Sequence, residues 1–515
     1  MSLEMGRIQA SIIDGRVHSP RFRQQQLIRL HHELQEGRTG LVDAIRKDTS
    51  YSETEAQIQH LLTLGAIKHY YSEISLDKSL EDEYKLAHSQ DNSTKRVPAG
   101  YVCLNPGGHD LLYSTIVPVA AAIASGNCVV LELSEDDNTS HQRLGASLST
   151  LLRQALDQDI IALTSQDQFS EEFKSRYCVR LDLRPQRNAI STSKSIKTPL
   201  DKTVAIVDRT ADLSNAAREL VRARFSFDGK SPYAPDLVLV NEFCVKTLAS
   251  SITQYALEYL ADYELLSING SASTQTKRGD GKKTSVAARL EEENPLHVTR
   301  LASGSRGTVL LVSERGIAGA LDKITEPLLV LHPVTSMDDA IDCINTNLAT
   351  ASTLHATHLF TSPPMAKYIS QFINTSASFT NTIPVELLVG SSAPAGHATQ
   401  VHPRFSQDLF TIPKPEVITS GRRQRVLAKA LDQGGNLDHF LLSTNREKRK
   451  QDSGELDISL PPINEPEGGG LGFFEQGIIT GGLILLSTVT ACVALGANYV
   501  AIPLIKGHWR LLKRA

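Results

Sequence analysis

The chain has 515 residues, 41% of them apolar and 21% charged, with a formal net charge of −4. That balance is the one of a globular protein of two or three domains; it excludes a disordered or collagen-like chain and gives no electrostatic reason to expect nucleic acid as a partner. The cysteines (Cys103, Cys128, Cys178, Cys244, Cys343 and Cys492) form no C-x-x-C pair, which predicts buried free thiols in a reducing compartment and no metal site.

Residues 1–14 contain acids and no long apolar stretch, so no secretory signal is expected there. Residues 6–75 read as helices, with apolar residues at three- and four-residue spacing over 23–36 and 40–48. Residues 76–96 are polar, a surface connection. A short strand over 97–104, an Ala-rich helix over 111–127 and a buried strand over 128–133 make a strand–helix–strand unit of a parallel sheet. A helix over 140–157 and a strand over 160–164 follow. Between Asn127 and Gly229 the only glycine is Gly145, and the turn 165–172 is acidic. Backbone that closes on a pyrophosphate usually needs glycine, and carboxylates repel phosphate. Residues 202–218 predict a strand, a turn and a helix with Ser214 as its N-cap.

The stretch 224–236, RFSFDGKSPYAPD, is broken by a glycine and two prolines and feeds an apolar run, Leu237 to Val240: a loop leading into a buried strand. A helix over 242–266, a Gly/Ser/Thr/Lys-rich surface insertion over 267–285 and strands over 308–312 and 328–332 come next. Residues 444–470 have linker composition. Residues 477–505 run for 29 positions without a charge, more than the roughly 20 needed to span a bilayer. The span is expected over 477 to about 499, with Pro503 marking its end and Lys506, Trp509, Arg510, Lys513 and Arg514 beyond it.

The loop 224–236 resembles the nucleophile loop of aldehyde dehydrogenases, F-x-N-x-G-Q-x-C-x-A-P-D-x-V-L. Phe225, Gly229, Ala234, Pro235, Asp236, Val238 and Leu239 match. Residues 118–135, PVAAAIASGNCVVLELSE, line up without a gap with the family's PLVGAIAAGNAVVLKPSE. Residues 202–218, 327–345 and 379–384 resemble further family segments, 405–410 more weakly, and 20–30 with Lys47 and Asp48 resemble the N-terminal helices of the fatty-aldehyde branch. The resemblance covers about residues 10–412. It implies an α/β fold with two Rossmann-type domains and a small β arm for oligomerisation, and for that branch a C-terminal transmembrane helix. The implied organisation is 1–220, N-terminal helices and nucleotide-binding-type domain; 221–385, catalytic-type domain; 386–443, return to the first domain and arm; 444–476, linker; 477–505, anchor; 506–515, basic tail.

Aldehyde oxidation needs a thiolate nucleophile, an amide donor for the oxyanion, a nucleotide to take the hydride and a carboxylate to activate water. By the resemblance these roles fall on residues that cannot perform them. The nucleophile position is Pro232, without thiol or N–H. The oxyanion Asn is His109. The base Glu is Thr198, and the glycines after it are Leu200 and Asp201. The nucleotide-contacting Lys is Glu132, and the E-x-F-G-P motif places Lys323, Thr325 and Glu326 at its Glu, Phe and Gly. No intact catalytic set and no cofactor are therefore expected; NAD or NADP would be the cofactor if the site works after all. Three readings remain open: an inactive dehydrogenase scaffold or regulator on a membrane, an active oxidoreductase with a diverged site, and a hydrolase using Ser231 with His109. Cys244 is expected to pack, and Tyr101 and Tyr233 to be structural. The partners expected are a membrane through 477–505 and a second copy of the chain. The body is expected to face the cytosol, on endoplasmic reticulum, peroxisome or outer mitochondrial membrane, leaving the sequons at Asn92, Asn138, Asn269 and Asn374 unglycosylated.

Overall fold

A computed structural model of the chain describes residues 3–107, 109–132, 142–164, 169–260, 285–304, 306–348, 353–418, 422–432, 460–464, 472–496 and 509. They divide into two compact units, residues 1–419 and 420–515.

The described residues of the first unit hold fourteen strands: β1 (Arg96–Pro98), β2 (Tyr101–Asn105), β3 (Cys128–Glu132), β4 (Ile161–Thr164), β5 (Cys178–Gln186), β6 (Ser195–Pro199), β7 (Thr203–Val207), β8 (Leu237–Asn241), β9 (Val298–Gly304), β10 (Gly307–Val312), β11 (Leu328–Val334), β12 (Ala356–Phe360), β13 (Ser378–Thr380) and β14 (Thr411–Pro413). A five-stranded sheet runs β4-β3-β2-β5-β6, parallel throughout. A seven-stranded sheet runs β13-β12-β7-β8-β11-β10-β9, parallel except for β9. β1 and β14 form a separate antiparallel pair.

The parallel sheets explain the apolar runs. In β2, residues 101–104 are all buried, as are all five residues of β7 and of β8. Strands covered on both faces need no polar alternation. The crossover helix Leu111–Ala124 buries every residue from Leu112 to Ala124, although Pro118 lies inside it. Its burial, rather than a polar/apolar stripe, makes it stable there.

Several expectations are corrected. The helix Leu213–Phe225 is capped by Asp212, whose carboxylate accepts from Ser214 N and Asn215 N; Ser214 is inside the helix. The polar segment 76–96 contains the helix Leu76–Tyr84. The strand read over 97–104 is two, split where Gly100 takes φ 122°. β5, β6, β9 and β12 were not anticipated. The first sheet ends at Pro199, and β7 already belongs to the second. Phe405 and Phe410 pack into the core shared with the first sheet, and Phe405 O accepts from Tyr70 Oη at 2.6 Å. Cys103, Cys128, Cys178, Cys244 and Cys343 are buried and Cys492 is exposed. Most of the 267–285 insertion, the turn 165–168 and the tail after 496, Trp509 apart, lie outside the described residues.

In the second unit the helix Phe473–Gly496 contains a stretch, Glu475–Leu495, of mean hydropathy 2.2, long and apolar enough to cross a membrane and with its residues exposed. It begins a few residues before the expected span.

Candidate functional site

The loop 224–236 is shaped by its backbone. After the helix ends at Ser226, Phe227, Asp228 and Gly229 take φ of 53°, 56° and 64° in succession. Two non-glycine residues in the left-handed region need support. Phe227 N donates to Glu55 Oε1 at 2.8 Å, and its ring meets the edge of Tyr51 with centroids 5.5 Å apart. Gly229 is required by space as well: a Cβ there would sit 2.7 Å from Glu326 O and 2.8 Å from Arg224 O.

Beneath the loop lies a buried ionic triad. Arg224 is fully enclosed; its guanidinium donates to the carbonyls of Gly229, Ile324, Ala234 and Pro235 and to Asp236 Oδ1 at 3.0 Å. Lys323 Nζ donates to Asp236 Oδ2 at 2.9 Å and to Pro232 O at 2.7 Å. Asp236 also accepts from Thr203 N and Ile324 N at 2.8 and 2.9 Å. Two cations thus share one carboxylate, and the loop's carbonyls are tied to the side chains below it. Burial lowers the Arg224 and Lys323 pKa values against the opposing pull of Asp236.

Above the triad is a cleft of about 240 Å³ lined by His109, Pro185, Pro199, Leu200, Asp201, Lys230, Pro232, Lys323, Thr325, Ser391 and Ser392. The fold therefore brings together six of the sequence-derived positions: His109, Leu200 and Asp201 from the first sheet's loops, Pro232 from the organising loop, and Lys323 with Thr325 from the segment before β11. Thr198 is fully buried beside the cleft wall, with its hydroxyl directed at Asp182 O, 3.5 Å away. It is a neutral, enclosed side chain and no base.

His109 is nearly buried. Its Nε2 lies 2.9 Å from Asp110 Oδ2 and 3.3 Å from Leu388 O. Asp110 is fully buried and accepts further from Tyr51 Oη at 2.9 Å and Gly390 N at 2.8 Å. Burial alone would push the Asp110 carboxyl up; His109 and these donors outweigh it and hold it below the ordinary range. The Ser231–His109 pair does not form. Ser231 is fully buried, and its hydroxyl donates to Leu387 O at 3.3 Å and accepts from Tyr233 N. Cys244 is buried in the main hydrophobic core, and its carbonyl accepts from Leu248 N at 2.9 Å.

Glu132 lies apart, at the C-terminal end of β3. Arg180 grips it with both Nη atoms at 3.1 and 3.2 Å, and the Cys103 thiol and Asn105 amide donate to it. The strand order reverses between β2 and β5, where open α/β sheets take their ligands. Here Gly107 packs on the backbone of β5, where an added Cβ would lie 2.5 Å from Arg184 N, and Arg184 pairs with Asp182 at 2.8 Å. Glu132 is thus a carboxylate already paired with Arg180.

Sequence reasoning missed Arg224, Asp110 and Arg404 as determinants of the site. Arg404 is fully buried, donates to the carbonyls of Glu386 and Ser391, and stacks its guanidinium 5.0 Å from the Tyr233 ring centroid. The available signal was a charged residue inside an apolar or Pro-rich stretch, which must find partners once buried.

Tyr233 anchors the loop from the other side. Its Oη accepts from Ala393 N at 3.1 Å, its ring packs on His355 at 4.3 Å, and its carbonyl accepts from His358 Nε2 at 3.0 Å. Burial, more than the nearby cations, holds His355 well below the ordinary imidazole value and His358 down to about 4. Folding with both neutral favours the native state above pH 6.5, the ordinary value, and that contribution is lost as pH falls through the folded value near 4. Denaturant titrations should show stability declining across this window; His358→Gln, which keeps a donor for Tyr233 O, should flatten the slope. A pH-independent midpoint would refute the neutral assignment.

No family model matches the chain. Aldehyde dehydrogenase family 3 member A2 of Pongo abelii is 24% identical over 366 residues, 67% of this chain and 73% of that protein. The Mus musculus member A2 is 25% identical over 370 residues with the same coverage, and the Rattus norvegicus member B1 is 23% identical over 354, 64% of this chain and 72% of its own. Among solved structures, substrate-bound AldH of Staphylococcus aureus superposes with a TM-score of 0.61 at 17% identity, covering 82% of this chain and 95% of its own. Aldehyde dehydrogenase C of Pseudomonas syringae, complexed with NAD+ and octanal, gives 0.59 at 17% identity over 80% and 88%. The first unit has the aldehyde dehydrogenase fold.

Proposed function

We propose that this aldehyde-dehydrogenase-like chain is a catalytically inactive relative of the membrane-bound family 3 branch, held on a membrane by its C-terminal helix and acting as a scaffold or regulator. One observation carries the reading. Pro232 stands where the resemblance places the nucleophile, and its carbonyl is taken by Lys323. A proline offers neither thiolate nor N–H, and the loop is fastened in this arrangement from below. Thr198 supplies no carboxylate to activate water, and the enclosed Glu132 and Lys323 do not fit a nucleotide. A homodimer, a tail-anchored topology and a cytosolic body are part of the proposal; they rest on the family resemblance and on the exposed apolar helix.

The test uses the full chain purified in detergent. Calorimetric titration with NAD and NADP should give no saturable binding at micromolar concentration, an affinity that corresponds to about −8 kcal/mol. Incubation with short- and long-chain aldehydes should give no reduced nucleotide. Micromolar binding, or aldehyde oxidation abolished by mutating a single cysteine, would establish instead an active dehydrogenase with a diverged site.

A further inference from the structure

We propose that Lys323 is a carbonyl-reactive amine, which captures small aldehydes entering the cleft as an imine. Three observations converge on it. Lys323 lines the cleft, and its Nζ is held 2.7 Å from Pro232 O. The side chain is only 6% exposed, so bulk water scarcely solvates its ammonium form. The triad also tolerates loss of one proton. Arg224 remains on Asp236 Oδ1, and Thr203 N and Ile324 N still donate to the same carboxylate. Deprotonating Lys323 therefore converts two buried cations on one anion into a neutral Arg224–Asp236 pair, the less costly arrangement in an enclosed site. Burial, with Arg224 assisting, lowers the lysine in this sense; Asp236 and, less strongly, Asp201 oppose it.

The cleft suits a small carbonyl compound. Its volume of about 240 Å³ is below the roughly 300–1,000 Å³ of drug-sized sites, so it admits a ligand of a few heavy atoms. Pro185, Pro199, Leu200 and Pro232 give an apolar wall; Thr325, Ser391 and Ser392 are hydroxyl-bearing residues of the same lining, those of Ser391 and Ser392 engaged with Ser114 Oγ and Pro199 O. In the reaction the lone pair of Nζ forms the C–N bond, and the carbonyl oxygen becomes the hydroxyl of a carbinolamine. The C–O bond then breaks, and the carbonyl oxygen leaves with the two amine hydrogens as water. Nothing is oxidised or reduced, and no cofactor is needed. Desolvated lysines are the ones that perform such chemistry.

The inference rests on the reading that the cleft lacks a working thiol, yet it fails separately. Hydride transfer is read with nicotinamide; imine formation is read without it. The full chain in detergent is incubated with propanal and cyanoborohydride, and the N-propyl mark is located by peptide mass spectrometry. Lys323 should be marked several-fold faster than Lys230, the exposed lysine of the same cleft. Lys323→Arg keeps the positive charge and the donors but has no nucleophilic amine, and should lose the fast mark. If that variant does not fold, the wild-type map decides alone. A mark distributed equally over Lys230 and surface lysines, or a fast mark that persists in Lys323→Arg, would overturn the proposal.

Discussion

Asp236→Ala should cost about 3–5 kcal/mol of stability, the usual consequence of removing one partner from a buried ion pair. Against the roughly 5–15 kcal/mol of a typical fold, this is enough to deplete the folded body at physiological temperature. The carboxylate collects Arg224, Lys323, Thr203 N and Ile324 N. Without it, Arg224, Lys323 and two backbone donors lose their acceptor while enclosed, and the loop loses the anchor that fixes its carbonyls. Asp236→Asn keeps the shape and one acceptor but not the charge, so comparing the two isolates the electrostatic part. Lys230→Ala is the control: Lys230 pairs with Asp228 at 3.2 Å while 42% exposed, and such pairs contribute at most about 1 kcal/mol. Thermal unfolding and soluble yield read all three. An Asp236→Ala variant as stable as the Lys230→Ala control would mean the triad is not what holds the loop.

Deleting residues 460–515 should move the protein almost completely from carbonate-washed membranes to the soluble fraction. The stretch Glu475–Leu495 has 21 residues, which at about 1.5 Å per residue spans roughly the 30 Å hydrocarbon layer. Its Ser487, Thr488 and Thr490 hydroxyls do not oppose insertion. Ser487 and Thr488 donate to Ile484 O at 2.7 and 2.6 Å, and Thr490 donates to Leu486 O at 2.7 Å. Each hydroxyl is satisfied within the helix, as a bilayer requires. Ile478, Leu485, Leu486 and Val493 are all more than 60% exposed, an apolar surface that water would disfavour. In intact organelles, protease should digest the body if it faces the cytosol. The basic tail argues for the opposite orientation by the positive-inside rule, but a folded body of this size does not cross. A glycan on Asn374, whose side chain is exposed, would reverse the assignment. Asn92 is uninformative, because it is buried with its amide donated to Asp82 O. Retention of the truncated chain on washed membranes would show that the body itself binds.

What the amino-acid sequence determined is local or rests on long uniform patterns. The apolar runs of β3 and β8 announce strands buried on both faces, the glycine and prolines of 224–236 announce a loop, and an uncharged run longer than a bilayer announces a span. The resemblance located His109, Leu200, Asp201, Pro232, Lys323 and Thr325, and the fold gathers these into one cleft. Charge partners were decided only in three dimensions. β5 is not legible because Arg180, Asp182 and Arg184 interrupt it; the structure accommodates them by placing Glu132 of β3, two strands away across β2, within reach of Arg180 and turning Arg184 back onto Asp182. Lys323 reads in one dimension as a charge reversal at a nucleotide position, yet it points inward, because Asp236 and the Pro232 carbonyl, 87 and 91 positions away, supply acceptors there. Periodicity records which face of an element is covered. It carries no record of which distant carboxylate or carbonyl compensates a buried charge, since that pairing exists only after the two sheets have packed.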